Sequence, residues 1–213
     1  MIARFAAALL LLATSALAQE AAPGPAPLPS PAAAATLPRP ATVTVTLQTA
    51  QGSIVLELEK ERAPVTTANF LRYVDQKRLD GATFYRAVKV QEGFGLVQGG
   101  LRNDPKKILP KIAHEPTTKT GLTHTSGTVS MARAAPGSAT MDFFITIGDQ
   151  PSMDADPKQP GDNLGYAAFG HVVEGMELVK AILFAPTAPG GPAGMEGQMI
   201  AQPIRIVSAR RAE

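Results

Sequence analysis

A mainly β fold, a closed eight-stranded antiparallel barrel capped by two α-helices, is what this sequence predicts. Three observations carry it: eight short runs are strand-like, the first two alternating with period two, glycines separate most of those runs, and only two stretches show helical spacing. Closing the strands on themselves is economical because it removes the exposed edges of an open sheet.

The elements follow in order. "TVTVTLQTAQGSIVLELE", from Thr42, alternates around Gln51-Gly52 and reads as a hairpin. "APVTTANFLRYVDQKRLDG" reads as the first helix, with Pro64 in its first turn, Val65, Ala68, Leu71 and Val74 at helical spacing, and Gly81 as a stop. Strand-like runs follow at 84–90, 95–101, 127–132, 142–147 and 166–173, and "GMELVKAILF", 175–184, reads as the second helix. "APTAPGGPAGMEGQ", 185–198, is loop, and "QPIRIVSARR" supplies the last strand.

Ahead of the domain, "MIARFAAALLLLATSALAQE" orders a charge at Arg4, an apolar run from Phe5 to Leu12, and small residues Ala16 and Ala18. That is the pattern of a signal peptide, residues 1–18; the run is too short to span about 30 Å of hydrocarbon. Residues 19–41 are mostly Pro and Ala and read as an extended linker, leaving 42–213 as the folded domain. An exported chain without cysteine cannot be lipidated through a thioether, so the expectation is a soluble periplasmic monomer that leaves the membrane once cleaved.

Composition excludes several chemistries. With no cysteine among 213 residues there is no disulfide framework, thiolate metal site or cysteine nucleophile. A formal net charge of +2 gives no reason to expect a nucleic-acid partner. His114, His124 and His171 are scattered without ligand spacing and read as surface or hydrogen-bonded loop residues. "DQPSMDADPKQPGDN" is acidic but matches no calcium loop and reads as solvated. No metal and no cofactor are expected.

The remaining signals are "FYRAV", "LVQGG", "GTVSMARA", "DFFITIG" and "FGHVVEGMELV", in that order. Together they resemble the cyclophilin-type peptidyl-prolyl isomerases, over about Gly52 to Val207. The resemblance implies an eight-stranded barrel with two capping helices and a shallow outer groove for proline-containing polypeptides. It also implies roles. Arg86 falls on the family's catalytic arginine, with Phe84 behind it and Tyr85 where histidine is usual; Gln98 matches the glutamine that orients it. Leu96 and Phe144 match apolar pocket positions, Ala132 and Ala134 groove backbone positions, and Tyr166 a position often held by histidine. Arg133 stands where many members have Asn, and Asp142 where Gln is usual. The aromatic wall is either Phe94 or is lost at Gly95. Asp142 either balances Arg133 or helps Gln98 hold Arg86. The chain lacks tryptophan, which many members place at the groove rim, so weak cyclosporin binding is expected.

The implied chemistry is consistent with these residue types. Amide rotation costs about 18–20 kcal/mol because resonance gives the C–N bond double-bond character. Lowering that barrier needs neither nucleophile nor metal; it needs a twisted amide bound better than a planar one. A fixed donor to the prolyl nitrogen does this, since its lone pair is free only once resonance is lost, and arginine is a permanently charged donor. A binding module or holdase with little turnover would use the same groove, and a lipocalin-like barrel would not reproduce these motifs in order.

Overall fold

The structure is a computed structural model and describes residues 40–212; the expected signal peptide and nearly all of the linker lie outside the described residues. Eight strands close into one barrel: β1 (Val43–Thr49), β2 (Gly52–Leu58), β3 (Thr83–Gln91), β4 (Phe94–Gly100), β5 (Thr128–Met131), β6 (Phe143–Ile147), β7 (Ala167–Glu174) and β8 (Met199–Arg211). Their order around the barrel is β1-β2-β7-β5-β6-β4-β3-β8, each pair antiparallel, with β8 returning to β1.

Three α-helices accompany them, one more than predicted: α1 (Pro64–Asp75), α2 (Thr117–Thr120) and α3 (Met176–Leu183). The short α2 has no hydrophobic period to betray it. The predicted face of α1 holds in part: Leu71 and Val74 are buried, whereas Val65 and Ala68 are exposed and Thr66, Thr67, Phe70 and Tyr73 are buried in their place. The helix stops at Gln76, before Gly81, because Lys77 turns into a left-handed conformation. Its N-terminus borrows a distant cap, the buried carboxylate of Glu115, which accepts from the Val65 and Thr66 amides and the Thr66 hydroxyl.

Period two explains the core. Val97, Phe143, Ile145 and Ile147 point inward with Val45, Leu47, Ile54, Leu56 and Phe84. Phe70 of α1 enters between Phe143 and Phe169, with ring centroids 5.5 and 5.4 Å away. From α3, Val179, Ile182 and Leu183 are fully buried.

One irregularity aims the site. Between β3 and β4, Phe84 pairs with Gly99 and Arg86 with Gln98, so Tyr85 is an extra residue opposite no partner. Such a bulge breaks the strict alternation and re-aims side chains. Phe84 stays in the core, while Tyr85 and Arg86 both bond to Gln98 on the outer face of β4. The extra residue is thus on β3 and not at Gly99-Gly100 of β4. Those glycines serve close approach instead: a Cβ at Gly99 would sit 2.9 Å from the Phe84 ring, and one at Gly100 would strike Asp142.

Candidate active site

The outer faces of β3, β4 and β6 present a continuous hydrogen-bonded group. Gln98 lies opposite Phe144 in the β4–β6 register and opposite Arg86 in the β3–β4 register, which brings all three together. Arg86 Nη1 donates to Gln98 Oε1 at 3.0 Å. Its Nε and Nη2 both donate to Gln198 Oε1, at 2.8 and 2.6 Å. A guanidinium has five N–H donors, so two are left, one on each terminal nitrogen. Burial lowers the Arg86 pKa, while the nearby Tyr85 and Tyr166 oppose that shift; arginine nevertheless stays charged at neutral pH.

Gln98 is itself held. Its amide nitrogen donates to the Tyr85 hydroxyl at 2.7 Å, and that hydroxyl donates to Asp142 Oδ2 at 3.1 Å. The other Asp142 oxygen accepts from the Leu101 and Arg102 amides at 2.7 and 2.9 Å. Burial raises the Asp142 pKa, and the two amides and the Tyr85 hydroxyl offset part of the rise. Tyr85 is raised too, first by burial and then by the Asp142 carboxylate, so it remains a donor. The result is a relay Arg86–Gln98–Tyr85–Asp142 in which each amide or hydroxyl has a defined direction.

Asp142 therefore supports Gln98, the second of its two expected roles. The first is corrected: Arg133 pairs with Asp162, at 2.8 Å through Nη1, and its Nε donates to the Gly165 carbonyl at 2.8 Å. That pairing holds the exposed Asp162 carboxylate down at about 2. The stretch expected to be a solvated acidic loop is thus tied to the site, with Asp162 on Arg133 and Asp154 on His124.

The apolar part surrounds Phe144. Tyr166 meets its ring edge-on at 5.2 Å and His124 stacks on it at 6.0 Å, leaving Phe144 only 3% exposed. Arg133 lies over Tyr166 at 5.3 Å. Leu96 is half-buried on the same outer face as Gln98. Ala132 and Ala134 line the groove that continues from Gln98 and Tyr85.

Residues 44–211 match the family described as cyclophilin type peptidyl-prolyl cis-trans isomerase/CLD. The chain belongs to that family. It is 32% identical to a peptidyl-prolyl cis-trans isomerase of Acinetobacter baylyi, covering 76% of this chain and 82% of the relative. To peptidyl-prolyl cis-trans isomerase cyp18 of Streptomyces antibioticus it is 39% identical, with 76% and 94% covered. A crystal structure of a cyclophilin-type isomerase from Cryptosporidium parvum superposes with a TM-score of 0.62 at 19% identity, covering 81% of this chain and 99% of that one, and shares the fold.

Within this cyclophilin-type barrel, Arg86, Gln98, Phe144, Tyr166, Arg133, Ala132, Ala134 and Asp142 come together, Leu96 lies two residues before Gln98 on the same face of β4, and Phe84 supports them from the core. Phe94 lies apart. It opens β4, four residues or about 13 Å along the strand from Gln98, with its ring against Gly148. Gly95 faces the barrel interior, where a Cβ would meet Leu183 at 3.2 Å. Neither position sets an aromatic beside Gln98. Two residues escape sequence reading. Gln198 sits at the end of a loop with no motif and reaches Arg86 across 112 positions. His124 is buried between Asp154 and Ser130, at 2.6 and 2.9 Å, and only its place three residues before "GTVSMARA" hints at the barrel.

Proposed function

We propose that this domain accelerates rotation about X-Pro bonds in exported polypeptides and so assists their folding in the periplasm. Family membership and relatives named peptidyl-prolyl isomerases support the reaction, and the order of charge, apolar run and small residues at 1–18 supports the location. The observation that carries the catalytic assignment is the guanidinium of Arg86, held by two glutamine oxygens with two N–H donors to spare.

In this reading Arg86 donates to the prolyl nitrogen as the amide twists. The planar ground state offers that nitrogen no free lone pair, so the bond strengthens toward the transition state, which is the condition for catalysis. Gln98 and Gln198 fix the guanidinium in advance, so no reorganisation is needed at the moment of rotation. Tyr85 and Asp142 are positioning residues that act through Gln98. Tyr166 and Leu96 supply the apolar surface for the prolyl ring, with Phe144 packed beneath Tyr166.

A prolyl-peptide isomerisation assay on the chain and on Arg86→Ala tests this. Activity in the parent and a loss of about 10²–10³ in the variant is the expected result; an inactive parent, or a variant that loses nothing, refutes it.

A further inference from the structure

The segment 101–112 carries Arg102, Lys106, Lys107 and Lys111 against a single carboxylate, Asp104. Among the described residues none of these four cations joins an ion pair; since that is equally true of Lys60, Lys77, Arg78, Lys119 and Lys158, it is the density of positive charge that sets the segment apart. Asp104 turns its carboxylate to the Lys106 amide. Two of the charges, Arg102 and Lys111, are placed beside the groove, while Lys107 lines a separate recess with Gly81, Thr83 and Asp104. Asp142 fixes the start of the segment through the Leu101 and Arg102 amides, and the Arg102 guanidinium lies 5.4 Å over the Tyr85 ring. Asn103, Ile108 and Lys111 then form a wall of the groove, of about 510 Å³, that continues from Gln98 and Tyr85. On the facing side Arg133 is already neutralised by Asp162.

We propose that segment 101–112 is a docking bank for acidic polypeptide, so that clients with Asp or Glu a few residues from the proline are preferred. The inference rests on the groove being the prolyl-peptide site. Unpaired cations beside such a groove favour a partner of opposite charge, raising encounter rate and selecting against basic segments. A polypeptide rather than an anionic membrane is the occupant, because Lys111 lines a recess beside Gln98 that a chain can thread and a flat headgroup layer cannot enter.

The test uses three peptides with one X-Pro core and Glu, Gln or Lys at the second and third positions on either side. Each is followed by turnover and by fluorescence anisotropy, on the parent chain and on a Lys106→Gln/Lys107→Gln/Lys111→Gln variant, at low and high salt. The Glu peptide should exceed the Gln peptide by about three- to tenfold at low ionic strength in kcat/KM and in affinity. That ratio should fall toward one in about 1 M salt, where the Debye length is about 3 Å, and in the variant. Equal binding of Glu and Gln peptides to the parent overturns the proposal, as does a preference that survives in the variant. Binding of the parent to anionic phospholipid vesicles with no preference for the Glu peptide overturns it in favour of a membrane. Acid preference in binding with no turnover of any peptide would sink the isomerase reading and leave this one standing.

Discussion

Two chemically identical groups hold Arg86, and they come from very different parts of the chain. Gln98 is 12 residues away across the β3–β4 hairpin, and Gln198 is 112 residues away at the end of a glycine- and proline-rich loop. The first is buttressed side chain by side chain, through Tyr85 to Asp142. The second is held by its backbone, whose carbonyl accepts from the Ala87 amide at 2.8 Å while its own amide donates to the Met195 carbonyl. One half of the clamp is thus written into adjoining strands and the other is delivered by tertiary structure. A local wall and a remote loop can share one task equally.

The largest effect should come from removing what both regions hold. Arg86→Lys separates charge from geometry: an ammonium keeps the charge but lacks the planar fork that meets both glutamines. Its kcat/KM should fall nearly as far as that of Arg86→Ala, and near-parent activity would mean that the clamp is unnecessary.

Next come the two halves singly. Gln98→Ala and Gln198→Ala should each lower kcat by about tenfold, with KM changing less, since each removes hydrogen bonds to a charged donor. Because both act on one guanidinium, the double variant should lose less than the product of the two. A silent Gln198→Ala would reduce the remote loop to packing and break the comparison.

A smaller effect belongs to the buttress. Tyr85→Phe deletes the hydroxyl between Gln98 and Asp142 and leaves Gln98 Nε2 and Asp142 Oδ2 without their hydrogen-bond partner. Stability should fall by about 1–3 kcal/mol in urea unfolding, with a several-fold loss of kcat. Unchanged stability would show that the relay has no structural weight.

The same contrast governs what can be read before folding. The eight strands are legible because each is a short strand-like run bounded by turn residues, and Arg86, Gln98 and Phe144 because each sits in a local motif of β3, β4 or β6. Gln198 is not, because no local pattern records a contact made across 112 residues. Arg133 and Asp142 are legible as groove charges but not their partners: the 149–166 loop folds back to bring Asp162 to Arg133, and the β3 bulge and the start of the 101–112 segment bring Tyr85, Leu101 and Arg102 to Asp142. The resemblance leaves the aromatic wall at Phe94 or lost at Gly95; strand geometry, which separates positions by about 3.3 Å each, carries Phe94 away from Gln98.

The smallest predicted effect tests the apolar side of the site through His124. Burial lowers the pKa of this imidazole below its usual value, outweighing the hydrogen bond and charge of Asp154, which push it up. The neutral ring is satisfied, with Nδ1–H donating to Asp154 and Nε2 accepting from the Ser130 hydroxyl. In the unfolded chain it protonates near about 6.5. The unfolded state therefore binds more protons as pH falls, and the stability this group contributes, full above about 6.5, is lost as pH drops through its lower folded value. Asp142, raised by burial, has the opposite sign: its contribution is full below about 3.8 and is lost as pH rises through its folded value. Urea unfolding between pH 7.5 and 5.5 should show the parent losing stability by at most about 1.4 kcal/mol per pH unit from this group, and His124→Gln should flatten the slope. Parallel slopes would mean that His124 takes up its proton without penalty, and that the support it gives Phe144 is not the dry, neutral stack the structure shows.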